Sequence, residues 1–232
     1  MRDEEIDEIL TRAAQAPNEV DPALLDSIAG SIGSSLGPVR ALPPARVLVG
    51  GLASICMAVA LAGAALLGLH GIRNLSLVAR ALIFPALGVL IWLAATACVG
   101  ETIPGSRRRV SPGVLLGAGG LALLALFAVV FRDYRTDRFV SQGVACLTAG
   151  LLQAIPAGLG GWLLLRRGFA VNSIAAGLLA GTLGGLAGVT MLELHCPNFQ
   201  ALHVMLWHTA VMPLSAAAGA LLAWGASLST GR

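Results

Sequence analysis

The sequence predicts an all-α protein: a polytopic membrane bundle of six transmembrane helices behind a short helical or disordered N-terminal head. Three observations carry this. Only 12% of the 232 residues are charged and 56% are hydrophobic, whereas a soluble domain carries about a quarter charged residues. Mean hydropathy is +0.83. The apolar residues fall into six blocks, at about 47–70, 77–99, 112–131, 141–165, 172–194 and 203–226, each near the roughly 20 helical residues that cross about 30 Å of hydrocarbon. Backbone polar groups in a bilayer must be satisfied internally, and barrel strands would alternate over about ten residues, so blocks of this length are helices.

Residues 1–46 form the first predicted domain, a head and tether, and 47–232 the second. The head holds Asp3, Glu4, Glu5, Asp7, Glu8, Glu19, Asp21 and Asp26 against Arg2 and Arg12, eight of the chain's 12 acids. It is too polar and acidic for a cleavable signal, so it is expected to persist in the mature protein. Ile6, Ile9 and Leu10, and then Leu25, Ile28 and Ile32, follow helical spacing, and Asp21-Pro22 reads as a cap with a first-turn proline. Helices this short are marginal alone, and an acidic face is repelled by an anionic leaflet. These six apolar residues therefore read as a docking stripe completed by a basic partner's groove. Gly37-Pro38 to Pro43-Pro44 is the stiffened tether.

All 15 basic residues are Arg. Arg107-Arg108-Arg109 and Arg166-Arg167 follow the second and fourth spans, while the last loop on the other face has none. By the positive-inside rule both termini are expected in the cytoplasm, in a bacterial inner membrane. No basic soluble face exists for direct nucleic-acid binding. In the spans, Gly177-xxx-Gly181-xxx-Gly185 and Gly113-xxx-Gly117 have helix-packing spacing. Pro85, Pro156 and Pro213 sit inside the second, fourth and sixth blocks and read as bends. Ionisable residues lie at or near the span ends, and no Ser-His-Asp order, HExxH or phosphate loop occurs, so no enzyme is expected.

With the N-terminus inside, Cys146 lies about 7–8 Å in from the outer end of the fourth span at 1.5 Å per residue. His195 and Cys196 end the fifth, His203 and His208 open the sixth, and His70 ends the first. All four histidines and two cysteines thus share one face. Cys56 and Cys98 read as packing residues. Whether Cys146 and Cys196 pair or are unrelated small residues is open at this level. His203 and His208 are about 140° apart on a regular helix and cannot chelate together from one, whereas His203 and Trp207 share a face.

Taken together, Cys146, Ile155-Pro156, Leu165-Arg166-Arg167-Gly168, Ala176-Gly177 with the glycine ladder, His195-Cys196-Pro197 and Trp207-His208 resemble the NrsF family of bacterial membrane anti-sigma factors. The six-span architecture covers the whole chain. The resemblance implies that the head sequesters an extracytoplasmic-function sigma factor, and that Cys146 and Cys196 are linked to sensing metal or oxidative stress. No resident cofactor is implied beyond a transient metal ion at Cys146/Cys196, with His195, His203, His208 and His70 as candidate accessory ligands. The alternative is a small integral membrane transporter or metal-handling protein whose outer-face His/Cys site is the ligand site and whose head is incidental.

Overall fold

The computed structural model describes residues 7–8, 11, 21–35, 43–103, 110–165 and 172–230. The chain divides into two units, Met1–Ala41 and Leu42–Arg232. In the first, helix α1 (Pro22–Ser35) starts as its sequence dictates. Asp21 Oδ1 accepts from Ala23 N at 2.9 Å, and Pro22 takes the first helical position, where its missing N–H costs nothing. Leu24, Leu25, Ile28 and Ile32 are each about half exposed. Of the earlier segment, the Thr11 side chain donates from Oγ1 to Asp7 O at 2.7 Å, the hydroxyl-to-carbonyl contact a threonine makes one helical turn back. Ile6, Ile9 and Leu10 lie outside the described residues, as do the Arg107–Arg109 and Arg166–Arg167 runs and most of the tether.

The second unit runs α2 (Ala45–Leu67), α3 (His70–Asn74), α4 (Leu77–Glu101), α5 (Pro112–Val130), α6 (Phe139–Leu165), α7 (Ser173–His195), α8 (Ala201–His203), a π-helical turn (Val204–His208) and α9 (Thr209–Thr230). Among the described residues six stretches are long and apolar enough to cross a membrane, the sixth running from α8 into α9. Helix starts follow the capping residues. Ser76 Oγ accepts from Ala79 N at 3.2 Å, Ser111 Oγ from Val114 N at 3.2 Å, and Asn172 Oδ1 from Ala175 N at 3.0 Å; each cap is worth about 1 kcal/mol. The first apolar block ends earlier than its hydropathy suggests. Gly68 takes φ 101°, a left-handed value open to glycine, and stops α2 at Leu67, so that His70 begins a separate short helix. The prolines at 85, 156 and 213 all lie within continuous helices.

Helix α7 is the centre. In its most hydropathic stretch 67% of residues are buried, against 17–39% in the other five spans. It packs chiefly on α9 and α6, then on α2 and α4. Lipid tails are as apolar as leucine, so close contact rather than the hydrophobic effect holds such helices together, and α7 supplies it through two rows of glycine. Gly177, Gly181 and Gly185 face α9: a Cβ placed on Gly185 would fall 2.6 Å from Met212 Cα, and side chains at Gly177 or Gly181 would strike the backbones of Gly219 and Ser215. Gly184 and Gly188 face α6, where a Cβ on Gly184 would fall 2.6 Å from Ala154 O. On the other flank Leu52, Cys56, Ile83, Leu87, Leu123 and Phe127 fill the core at helical spacing.

Gly113 and Gly117, expected from their spacing to be packing residues, are not. Neither has any neighbour within 4 Å of where a Cβ would sit. A four-residue interval shows that two glycines share a helix face but not which way the face points, and theirs points away from the bundle. Several polar groups inside the spans find backbone carbonyl acceptors. Thr182 and Thr190 hydroxyls donate one turn back, to Leu178 O and Leu186 O, Gln153 donates to Val59 O, and Cys56 Sγ donates to Leu183 O at 3.6 Å.

These contacts make a contrast to be measured. Gly185→Val should lower stability in detergent by about 1–3 kcal/mol or more through overpacking. Gly113→Ala should be neutral or stabilising by up to about 1 kcal/mol. Denaturation of both variants beside the parent checks it, and equal losses would contradict the assigned packing.

Candidate functional site

The site forms where α6, the end of α7 and the start of the sixth span converge. Two short loops define this face. Pro197 cannot continue α7, and the segment that follows pairs with the loop before α6. Asp133 bridges Gln200, Ala201 N donates to Asp133 O at 2.6 Å, and Phe131 stacks on Phe199 with centroids 5.8 Å apart. Asn198 Nδ2 donates to Gln142 Oε1 at 2.7 Å, tying the same loop to α6. From the far flank α3 is pressed against the end of α7. A Cβ on Gly71 would fall 2.7 Å from Glu193 O and 2.8 Å from Cys196 O, so only glycine fits there.

This framing brings the cysteine fifty residues upstream onto Cys196. Cys146 Sγ and Cys196 Sγ are 3.5 Å apart as free thiols. Cys196 Sγ lies 3.7 Å from His203 Nε2, and the donor atoms of Cys146, Cys196, His203 and His208 all fall within 4.8 Å of one another. Cys146 and Cys196 line an open cleft of about 550 Å³, together with Arg138, Gln142, His195 and Gln200, whereas the two imidazoles are buried. The Cys196 thiol, in the loop between the spans, is held above its ordinary pKa first by its hydrogen bond with Cys146 and then by burial. At neutral pH it is therefore a thiol rather than a thiolate.

The histidine geometry departs from the regular helix. His203 and His208, separated by about 140° under α-helical rotation, stand with ring centroids 5.2 Å apart. The cause is the π-helical turn Val204–His208. Bonds from i to i+5 widen the helix by one residue per turn, so that residues five apart stack. Trp207, expected beside His203 at i+4, packs over Gly143 and against Phe139 with centroids 5.6 Å apart. One turn further on, Pro213 cannot donate to Thr209 O, which leaves this part of the helix a bond short already.

A fifth member was invisible to spacing. Glu193 is 2% exposed and its Oε1 lies 2.7 Å from Nδ1 of His208, itself 1% exposed. Such a pair in a hydrocarbon-facing bundle is costly and marks a functional position by default. The signal was present in Leu192-Glu193-Leu194: a carboxylate in an apolar run, within a turn of a helix end. In the neutral imidazole whose Nδ1–H donates to Glu193 Oε1, Nε2 keeps a lone pair. That Nε2, like His203 Nδ1, is buried without a hydrogen-bond partner among the described residues.

The other two candidate ligands stand apart. His195 Nδ1 is bonded to Gly68 O at 2.9 Å, and His70 meets His195 edge-on with centroids 6.0 Å apart. They join α2, α3 and α7 rather than the four-donor cluster. Cys56 and Cys98 are buried in the core. Leu25, Ile28 and Ile32, expected from the sequence to dock a partner, belong to α1 of the first unit.

Chemically, two sulfurs and two imidazoles within 4.8 Å can hold a metal ion, and two thiols at 3.5 Å can be joined by an oxidant. No curated protein and no solved structure matches the chain. Residues 33–226, which include five spans whole, the sixth as far as Ala226 and every member of the cluster, match the family model described as negative regulator of sigma F. The chain therefore belongs to the NrsF family.

Proposed function

We propose that the protein is a membrane-bound anti-sigma factor. In this reading the N-terminal head, residues 1–46, holds an extracytoplasmic-function sigma factor at a bacterial inner membrane, both termini are cytoplasmic, and a thiol-linked metal or oxidative signal at Cys146 and Cys196 releases it. The family supplies the regulatory role against a sigma factor. The observation that carries the signalling half is the 3.5 Å approach of two free thiols drawn from helices fifty residues apart.

The head's role is supported by α1, which exposes Leu24, Leu25, Ile28 and Ile32 in a segment rich in carboxylates. A sigma factor carries basic DNA-facing groups, so charge complementarity would steer the encounter and the apolar stripe would supply the affinity. On the signalling side, oxidation of the thiols to a disulfide passes two electrons to the oxidant and two protons to water. The sulfurs must then close from 3.5 Å to about 2.05 Å, which moves α6 relative to the end of α7. A stimulus shifts the bundle only if it favours one arrangement over another.

Leu25→Glu with Ile28→Glu in the full chain should weaken capture of the sigma factor encoded in the neighbouring reading frame by at least about tenfold, the loss of a buried anchor. Membrane insertion should be unaffected. Co-purification and a sigma-dependent reporter measure both; full capture by the double variant would contradict the docking role, and lost capture with lost repression is the outcome of a regulator, whereas a transporter would keep its solute flux and show no change in the reporter. Cys146→Ser and Cys196→Ser should each abolish induction of that reporter by a mild thiol oxidant while keeping repression in its absence. Mass spectrometry of the parent after oxidation should find Cys146 joined to Cys196, with Cys56 and Cys98 still free thiols. Unaltered induction in both serine variants would remove the sensing role.

A further inference from the structure

We propose that Cys146, Cys196, His203 and His208 form a four-ligand site for one tetrahedral d10 cation of the zinc class, and that Glu193 is the positioning residue presenting His208 to the metal through Nε2. The proposal rests on the thiol-linked reading of the same site and names its ligand.

Three independent observations point to it. The first is size. With metal–sulfur bonds of about 2.3 Å and metal–nitrogen bonds of about 2.0–2.1 Å, a tetrahedron separates its donors by roughly 3.3–3.8 Å. The sulfurs are 3.5 Å apart, sulfur to His203 Nε2 is 3.7 Å, and no pair exceeds 4.8 Å. The second is His208 Nε2, which is buried and, among the described residues, has no partner at proper hydrogen-bond geometry although it interacts with Cys196. A plain thiol–thiol–imidazole chain would account for Cys146, Cys196 and His203, but it leaves His208 Nε2 beside the cluster without an aligned hydrogen bond. The third is Glu193. A metal-ligating imidazole characteristically donates its other N–H to a carboxylate, which fixes tautomer and ring orientation, and His208 Nδ1 to Glu193 Oε1 at 2.7 Å is that arrangement.

The donor set selects the ion. Two thiolates and two imidazoles suit zinc-like d10 ions and disfavour magnesium and calcium, which demand oxygen. The π-helical turn builds the site, because only a five-residue stack puts both imidazoles on one side. The cleft lined by the two cysteines is the entry path. Each ion bound releases the two thiol protons to water.

The test uses the full chain in detergent, stripped of metal and reduced, titrated with Zn2+ against a competing chelator and with Co2+ by absorption. One ion per chain is expected, with thiolate charge-transfer and the strong d–d bands of tetrahedral cobalt. Mg2+ should not compete. Glu193→Gln should lower Zn2+ affinity about 10–100-fold while keeping stoichiometry and cobalt band positions, a pattern that loss of folding would not produce. His203→Gln, and His208→Gln combined with Glu193→Gln so that no buried carboxylate is stranded, should lose the tetrahedral bands with helicity unchanged. Parental affinity in both, or octahedral cobalt in the parent, would overturn the site. Sigma-factor capture and its release by oxidant are scored on the same metal-free preparation. If they persist while metal fails, only the metal site falls; if capture itself fails, the anti-sigma reading falls whatever the metal does.

Discussion

The structure depends on backbone contact between α7 and its two neighbours. Gly177, Gly181 and Gly185 admit α9 while Gly184 and Gly188 admit α6, so a single helix sets the height of both. Those contacts lie close to the site. Gly188 meets Gly150, four residues from Cys146, and Gly185 meets Met212, four residues from His208. One turn of helix therefore separates the glycine clamp from the donors on either side. Association in a bilayer relies on such close packing, and here the packing that stabilises the bundle also fixes the register at which sulfur meets sulfur.

How much of this the sequence discloses follows from what each kind of pattern encodes. Span number and class were legible, since twenty consecutive apolar residues have few alternatives in a bilayer. The Asp21-Pro22 start of α1 was legible because capping is local chemistry. Depth along the helices placed Cys146, Cys196 and all four histidines on one face, and the structure brings four of those six residues within 4.8 Å. Rotation about the helix axis was not legible. Gly113 and Gly117 share a face that points outward, and His203 and His208 share one only because the backbone widens into a π turn. No residue type announces such a turn, because it arises from the tertiary demand to seat both rings. Glu193 escaped notice for a different reason: near a helix end it counted as terminal, whereas the short loops and α3 folded over that end bury it to 2% exposure.

The buried Glu193–His208 pair gains meaning in this setting. Removing one partner from a desolvated hydrogen-bonded pair strands the other and costs several kcal/mol, yet replacing both with apolar groups is often neutral. Stability alone therefore does not explain a carboxylate among Leu192, Leu194 and Met191. Orientation does. An imidazole held at Nδ1 offers Nε2 in one direction, and that direction faces Cys146, Cys196 and His203. The pair acts as a bracket for the cluster, which accounts for its burial rather than a place in the cleft.

The same geometry restricts how an event at the sulfurs can travel. The first span starts at Ala45, and α2 ends at Leu67, next to Gly68, whose carbonyl is bonded to His195 beside Cys196. The site and the start of the first span thus lie at opposite ends of α2, across about 30 Å of hydrocarbon. Close-packed helices do not deform gradually over that distance; they shift as bodies between discrete packings. With glycine backbones in contact on both sides, α7 has little room to slide against α6 or α9. The slack lies in the π turn, which carries a residue more than α-helical packing requires. In the proposed reading, gain or loss of a bond at His203 and His208 would act on that turn directly, and its tightening to α-helical winding would rotate α9 against the glycine row of α7. In the proposed mechanism, a clamp that tolerates only a few registers would turn a closure of about 1.5 Å between two sulfurs into a choice between packings.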